Sequence, residues 1–115
     1  MKLKTYSYKK VISTNKTAIN KIISGINKGI IVSDQQTNGR GSHGKKWISY
    51  KGNLFISFFY KLDHLTISLK KITIINCLLV KKLLSIYYKK KIIFKKPNDL
   101  LINKKKICGI LQEKI

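Results

Sequence analysis

This chain has almost no arginine, little acid, one proline and two cysteines. Of its 25 basic residues 24 are Lys and one is Arg, Arg40, against only four Asp and Glu. The lone proline and seven glycines exclude a collagen-like or linker-like chain. Cys77 and Cys108 stand far apart with no C-x-x-C pair, which argues against a disulfide scaffold or a zinc site and fits a reduced, cytoplasmic compartment. His43 and His64 have no ligand-like spacing, so no metal site is expected. Long apolar runs are also missing. Gly52 to Tyr60 and Ile72 to Val80 are each broken by Lys within about ten residues, where a membrane span needs roughly 20. The opening MKLKTYSYKK holds no apolar signal core.

A length of 115 residues suits one domain, and 43% hydrophobic residues exclude disorder by composition. A net charge of +21 first suggests nucleic acid or an anionic membrane as partner. The skew toward Lys, Ile and Asn weakens that reading, because all three have AT-rich codons and a biased genome gives the same composition.

Short helices and strands alternate along the chain. Ser13-Thr14-Asn15 starts a helix, with Ala18, Ile22 and Ile26 at helical spacing and Gly25 or Gly29 as its end. Gly29 to Gln35 reads as a buried β-branched strand. Gln36 to Trp47 (QTNGRGSHGKKW) reads as a long polar loop, the kind that carries function in a small domain. Asn53 to Tyr60 is a second strand. Leu65 to Tyr88 is the main helix, with Leu65, Leu69, Ile72, Leu79, Leu83 and Ile86 inward and Lys70, Lys71, Lys81 and Lys82 on a solvated face. Short strands follow at Ile92 to Phe94, Leu100 to Ile102 and Lys106 to Gln112. Pro97 breaks the first, and Asn103 to Lys105 turn between the last two.

Three polar islands carry the chemistry. Gly39 and Gly41 let a backbone approach an anion closely, and Arg40 adds a planar fork suited to carboxylate or phosphate. Lys106, next to Gly109 in the chain's last strand, places a point charge suited to phosphate. From the residues alone, these are equally a flexible basic loop and one more surface Lys.

Taken in order, the islands resemble the biotin–protein ligase family. The matching stretches are STN at 13–15, SDQQTNGRGSHGKKW at 33–47, GNLFIS at 52–57, KPNDLL at 96–101 and KKICGILQE at 105–113. The resemblance implies an α+β fold, a mixed sheet backed by helices as in the class II synthetase-like ligases. It implies that biotin's carboxylate attacks the α-phosphorus of ATP. The resulting biotinyl-5′-AMP then biotinylates a lysine of the biotin carboxyl carrier protein of acetyl-CoA carboxylase. By resemblance, Ser13, Thr14 and Asn15 sit at the ureido end of biotin, and Gln36 lines the same pocket. Arg40, Gly41 and Ser42 form a loop over carboxylate and phosphate that orders on ligand binding. Trp47 packs at the adenylate. Lys106 is the main catalytic cation, touching both the carboxylate and the α-phosphate. Asn98 and Asp99 lie near the nucleotide, with Asp99 set to orient or deprotonate the incoming amine. Mg²⁺ is expected with ATP.

Four features depart from the family pattern. Ser42 stands where many members carry a second Arg, Lys96 where Trp is usual and Cys108 where Ala is usual. The sequence also stops just after the Lys106 strand. The expectation is therefore a single partial catalytic domain over 1–115, C-terminally truncated, without an N-terminal winged helix or a C-terminal barrel, and marginally folded by itself. The alternatives are a non-catalytic remnant or half of a split ligase, and a basic nucleic-acid-binding module. A lipoate–protein ligase shares the architecture, but GRGxxGxxW with KPND favours biotin. Neither DNA nor a membrane is expected as a partner.

Overall fold

The computed structural model describes residues 2–62 and 66–115. The chain forms two compact units, Met1–Asp63 and His64–Ile115.

The first unit is built on β1 (Thr5–Tyr8), α1 (Thr14–Ile23), β2 (Gly29–Ser33), β3 (Gly39–Arg40), β4 (Lys46–Trp47) and β5 (Phe55–Phe59). β1 and β2 run parallel with α1 as their crossover, and β5 joins β2 antiparallel, giving a mixed sheet of order β1-β2-β5. Ser13 caps α1, its hydroxyl accepting from the Lys16 amide at 3.0 Å. The helix ends at Gly25, whose φ of +98° admits the left-handed residue of a Schellman turn. There the Gly25 amide donates to Ile22 O and the Ile26 amide to Lys21 O, both at 3.0 Å. Gly29, the other sequence candidate, opens β2 instead. A Cβ there would lie 2.8 Å from the Phe59 ring, so its lack of one lets β5 close on β2. The core is Ala18, Ile31 and Phe59, with Tyr6, Tyr8, Ile22 and Ile26 packed on it. Period-two alternation sends Phe55, Ser57 and Phe59 of β5 inward and Ile56 and Phe58 outward.

β1 is absent from the sequence expectations. The polar loop expected over 36–47 also contains the small β3–β4 hairpin and a 3-10 turn at Ser42–Gly44.

The second unit holds α2 (Leu69–Tyr87), β6 (Ile93–Lys95), β7 (Asp99–Ile102) and β8 (Lys105–Gly109). The three strands form an antiparallel sheet of order β6-β7-β8, and α2 packs on β6 and β7. Ser68 caps α2, accepting from the Lys71 amide at 3.2 Å. The expected helix start at Leu65 lies outside the described residues. The expected inward face needs correction. Cys77 is fully buried and Ile72, Val80 and Leu84 are half-buried, whereas Leu69, Leu79, Leu83 and Ile86 are exposed. The helix is apolar nearly all round, and only one stripe of it meets the sheet. β8 ends at Gly109, earlier than the expected Gln112. Among the described residues no helix is long and apolar enough to cross a membrane.

Candidate functional site

In the first unit the polar groups gather around the N-terminus of α1. After β1 the chain keeps its parallel course beside the residues following β2. The Val11 amide donates to Gln35 O, the Thr37 amide to Val11 O and the Asn38 amide to Ile12 O. This lays Gln36 beside the start of α1, and its Oε1 accepts from the Thr14 amide at 2.8 Å. A backbone N–H only donates, so this contact also fixes which end of the Gln36 amide is oxygen. Nε2 then donates to Ser49 Oγ at 3.0 Å, and that hydroxyl donates to Trp47 O at 3.2 Å. One side chain thereby ties α1 to the hairpin.

Ser13 and Thr14 are buried and Asn15 is half-buried. Ser57, buried on β5, has its Oγ 2.7 Å from Thr14 Oγ1 and hydrogen-bonded also to Asn15 Oδ1. A hydroxyl carries one hydrogen and a carbonyl oxygen carries none, so Ser57 meets both when it donates to Asn15 and accepts from Thr14.

The β3–β4 hairpin presents the loop residues. Gly39 pairs with Trp47 and Arg40 with Lys46. The Gly41 amide donates to Lys45 O at 2.7 Å, and the Lys45 amide to Ser42 O at 3.1 Å. His43 takes a left-handed φ of 56° at the tip. A Cβ on Gly39 would fall 2.6 Å from Trp47 O, 2.7 Å from Ser49 Oγ and 2.9 Å from Gln36 Nε2, so glycine is required there. Arg40 is exposed, while Gly41, Ser42 and Trp47 are half-buried.

In the second unit, Lys106 Nζ lies 2.9 Å from Asp99 Oδ1. Lys106 pairs with Leu101, two residues along β7 from Asp99, so alternation puts both on one face. A β-bulge between Leu100 and Leu101 brings Cys108 opposite Leu100 and Gly109 opposite Asp99. Asp99 Oδ1 is buried and makes no hydrogen bond, so its neutralisation rests on that ion pair. Asn98 spends its side chain on the backbone. Its Nδ2 donates to Ile110 O at 3.0 Å, while the Ile110 amide donates to Asn98 O at the same distance.

Both thiols here are pushed above their ordinary value. Burial dominates for Cys77, with Cys108 and Asp99 adding to it. Burial and then Asp99 raise Cys108, against a lowering by Lys106.

Thr14, Asn15, Gln36 and Trp47 thus join one hydrogen-bonded network through Ser57 and Ser49. Ser13 caps α1 beside it, and Lys106 and Asp99 are joined as a pair. Asn98 serves the β7–β8 backbone. Ser57 and Ser49 were missed from the sequence. Ser57 had a signal, being a hydroxyl on the inward face of a strand between Phe55 and Phe59. Ser49 had none.

Residues 8–115 match the model of the biotin/lipoate A/B protein ligase family. The chain belongs to that family. Within the family it is 34% identical over 109 residues to the bifunctional ligase/repressor BirA of Bacillus spizizenii, covering 92% of this chain and 34% of that protein. Against BirA of Escherichia coli K12 the identity is 28% over 102 residues, 88% of this chain and 32% of the other. The Aquifex aeolicus biotin protein ligase, solved with biotin and ATP, superposes with a TM-score of 0.81 at 30% identity. That match covers 96% of this chain and 47% of the other. The Helicobacter pylori biotin acetyl coenzyme A carboxylase synthetase, with a TM-score of 0.82 at 23% identity over 96% of this chain and 54% of its own, shows the shared fold. The α+β reading with a mixed sheet therefore stands. This ligase-family chain spans about a third of the curated relatives' length (32–34%) and about half of the solved chains (47–54%).

Proposed function

We propose that this chain acts as a biotin–protein ligase, handling biotin and ATP in two coupled steps. In the first, a biotin carboxylate oxygen attacks the α-phosphorus of ATP. The α–β bridge breaks, giving biotinyl-5′-AMP and pyrophosphate. In the second, the ε-amine of a lysine on a biotin carboxyl carrier protein attacks the acyl carbon, and AMP leaves. The observation that carries this reading is the likeness, across nearly all of this chain, to the Aquifex ligase solved with biotin and ATP.

The difficulty in the first step is bringing a carboxylate to a triphosphate, and fixed positive charge lowers that barrier. In this reading Ser13, Thr14, Asn15 and Gln36 take the ureido end of biotin, and Trp47 shields the adenylate. Arg40, Gly41 and Ser42 close over carboxylate and phosphate. Lys106 enters as an ammonium already neutralised by Asp99 at 2.9 Å. An arriving α-phosphate competes for that ammonium. As Lys106 turns to the phosphate, Asp99 gains a free carboxylate oxygen to orient or deprotonate the incoming amine. Asn98 stands beside Asp99 near the nucleotide.

Among the described residues no cluster of His, Cys, Asp or Glu suits a metal ion. Mg²⁺ is proposed to arrive with ATP, held by the nucleotide's phosphates. The proposed setting is cytoplasmic, with the acceptor a carrier domain and no DNA.

The test is direct. The purified chain is incubated with biotin and MgATP and assayed for biotinyl-AMP by mass spectrometry, alongside its melting temperature with and without biotin. Adenylate and a biotin-dependent rise are expected. If neither is seen, the enzymatic reading fails for this chain. The second reading is a non-catalytic remnant or half of a split ligase. It holds if adenylate appears only on adding the rest of a ligase domain (split), or not at all (remnant). A basic nucleic-acid module instead requires tight, strongly salt-dependent binding to DNA or RNA.

A further inference from the structure

We infer that Ser49 is a positioning residue that sets the Gln36 amide for its ligand, an inference resting on the biotin-ligase reading. Gln36 is held at both ends, Oε1 by the Thr14 amide at 2.8 Å and Nε2 by Ser49 Oγ at 3.0 Å. An amide offers two lone pairs and two N–H groups. After these two contacts, one lone pair and one N–H remain on the same planar group. That pair of functions matches a cyclic urea, which offers a carbonyl oxygen beside an N–H.

The direction of the Ser49 hydroxyl decides whether this works. Its hydrogen goes to Trp47 O at 3.2 Å, so a lone pair faces Nε2. Without that acceptor the amide keeps only the Thr14 contact and swivels about it. The remaining donor and acceptor then no longer point in one fixed direction. Gly39 permits the arrangement, since any Cβ there would strike Ser49 Oγ and Gln36 Nε2. Ser49 therefore acts through Gln36. Its loss weakens biotin binding and leaves the chemical step alone.

The test compares the unchanged chain with Ser49→Ala, Ser49→Thr and the near-isosteric Ser49→Cys. Two readouts are used. The first is the Gln36 side-chain NH₂ resonance pair in ¹⁵N-labelled protein without ligand. The second is a biotin titration followed by Trp47, the one tryptophan of the chain. Ser49→Ala is expected to move the Gln36 pair toward free-amide shifts and fast exchange. Loss of one hydrogen bond should raise the biotin Kd about three- to ten-fold. Ser49→Thr, which keeps the hydroxyl, should restore both. Ser49→Cys, with only a weak acceptor, follows Ala and serves in its place should Ala not fold.

Gln36 resonances unchanged in Ser49→Ala overturn the inference whatever biotin does. So does a freed Gln36 with an unaltered Kd. If the unchanged chain binds no biotin, the ligase reading falls and the ligand role assigned to Ser49 falls with it. The resonances then decide separately whether Ser49 holds Gln36.

Discussion

At the scale of single residues, two buried features have measurable consequences. Ser57 is the partner shared by Thr14 and Asn15. Ser57→Ala removes a hydrogen bond from the buried Thr14 hydroxyl and from Asn15, which costs about 1–3 kcal/mol. A lowered urea midpoint with an unchanged m-value is the expected result. The second feature is the pair of thiols. Both Cys77 and Cys108 are raised from their ordinary 9.0, chiefly by burial. The folded chain then holds protons that the unfolded chain releases. Their contribution is complete below pH 9 and is lost as pH climbs through the raised values. Urea midpoints should fall as pH rises from about 9 through the raised values. The fall should be shallower in a Cys77→Ala/Cys108→Ala variant. An equal fall in both proteins would assign the effect to other groups.

At the scale of elements, the end of α1 is set by Gly25. No atom lies within 4 Å of a Cβ built there, so Gly25→Ala meets no clash, only the strain of φ +98°. The expected cost is about 1 kcal/mol, read by urea denaturation. This element was legible because its signals are local. Ser13 as cap, Ala18 and Ile22 at helical spacing and a closing glycine all fall within one short window. Other elements depend on distant partners. β1 reads Thr-Tyr-Ser-Tyr between lysines and becomes a strand only by pairing with β2. The β3–β4 strands are two residues each, and the contacts around them come from Gln36 and Ser49, which lie outside them. For α2 the pattern was legible but its direction was not, since apolar residues occupy more than one side. The site divides in the same way. Thr14, Gln36, Asp99 and Lys106 could be picked out as candidates because they sit inside motifs. That Lys106 and Asp99 pair with each other depends on the β7–β8 register, which no local pattern states.

At the scale of the molecule, the chain has much apolar surface in water. Leu79, Leu83 and Ile86 on α2 are more than half exposed, as is Phe58 on β5. A net charge of +21 adds self-repulsion. The chain alone is therefore expected to melt below about 60 °C, within or under the usual mesophile range. Its melting point should rise between about 10 mM and 150 mM salt as that repulsion is screened. A salt-independent transition well above 60 °C would contradict this. One further consequence concerns association. Among the described strands β5 pairs on one side only, so its other edge leaves main-chain donors and acceptors open along Phe-Ile-Ser-Phe-Phe. An uncharged edge of this kind is a template for another copy's strand. Like charge keeps copies apart at low salt. The ions that steady each folded chain therefore also remove the barrier to its aggregation, so the most stable buffer is also the one with the shortest lag.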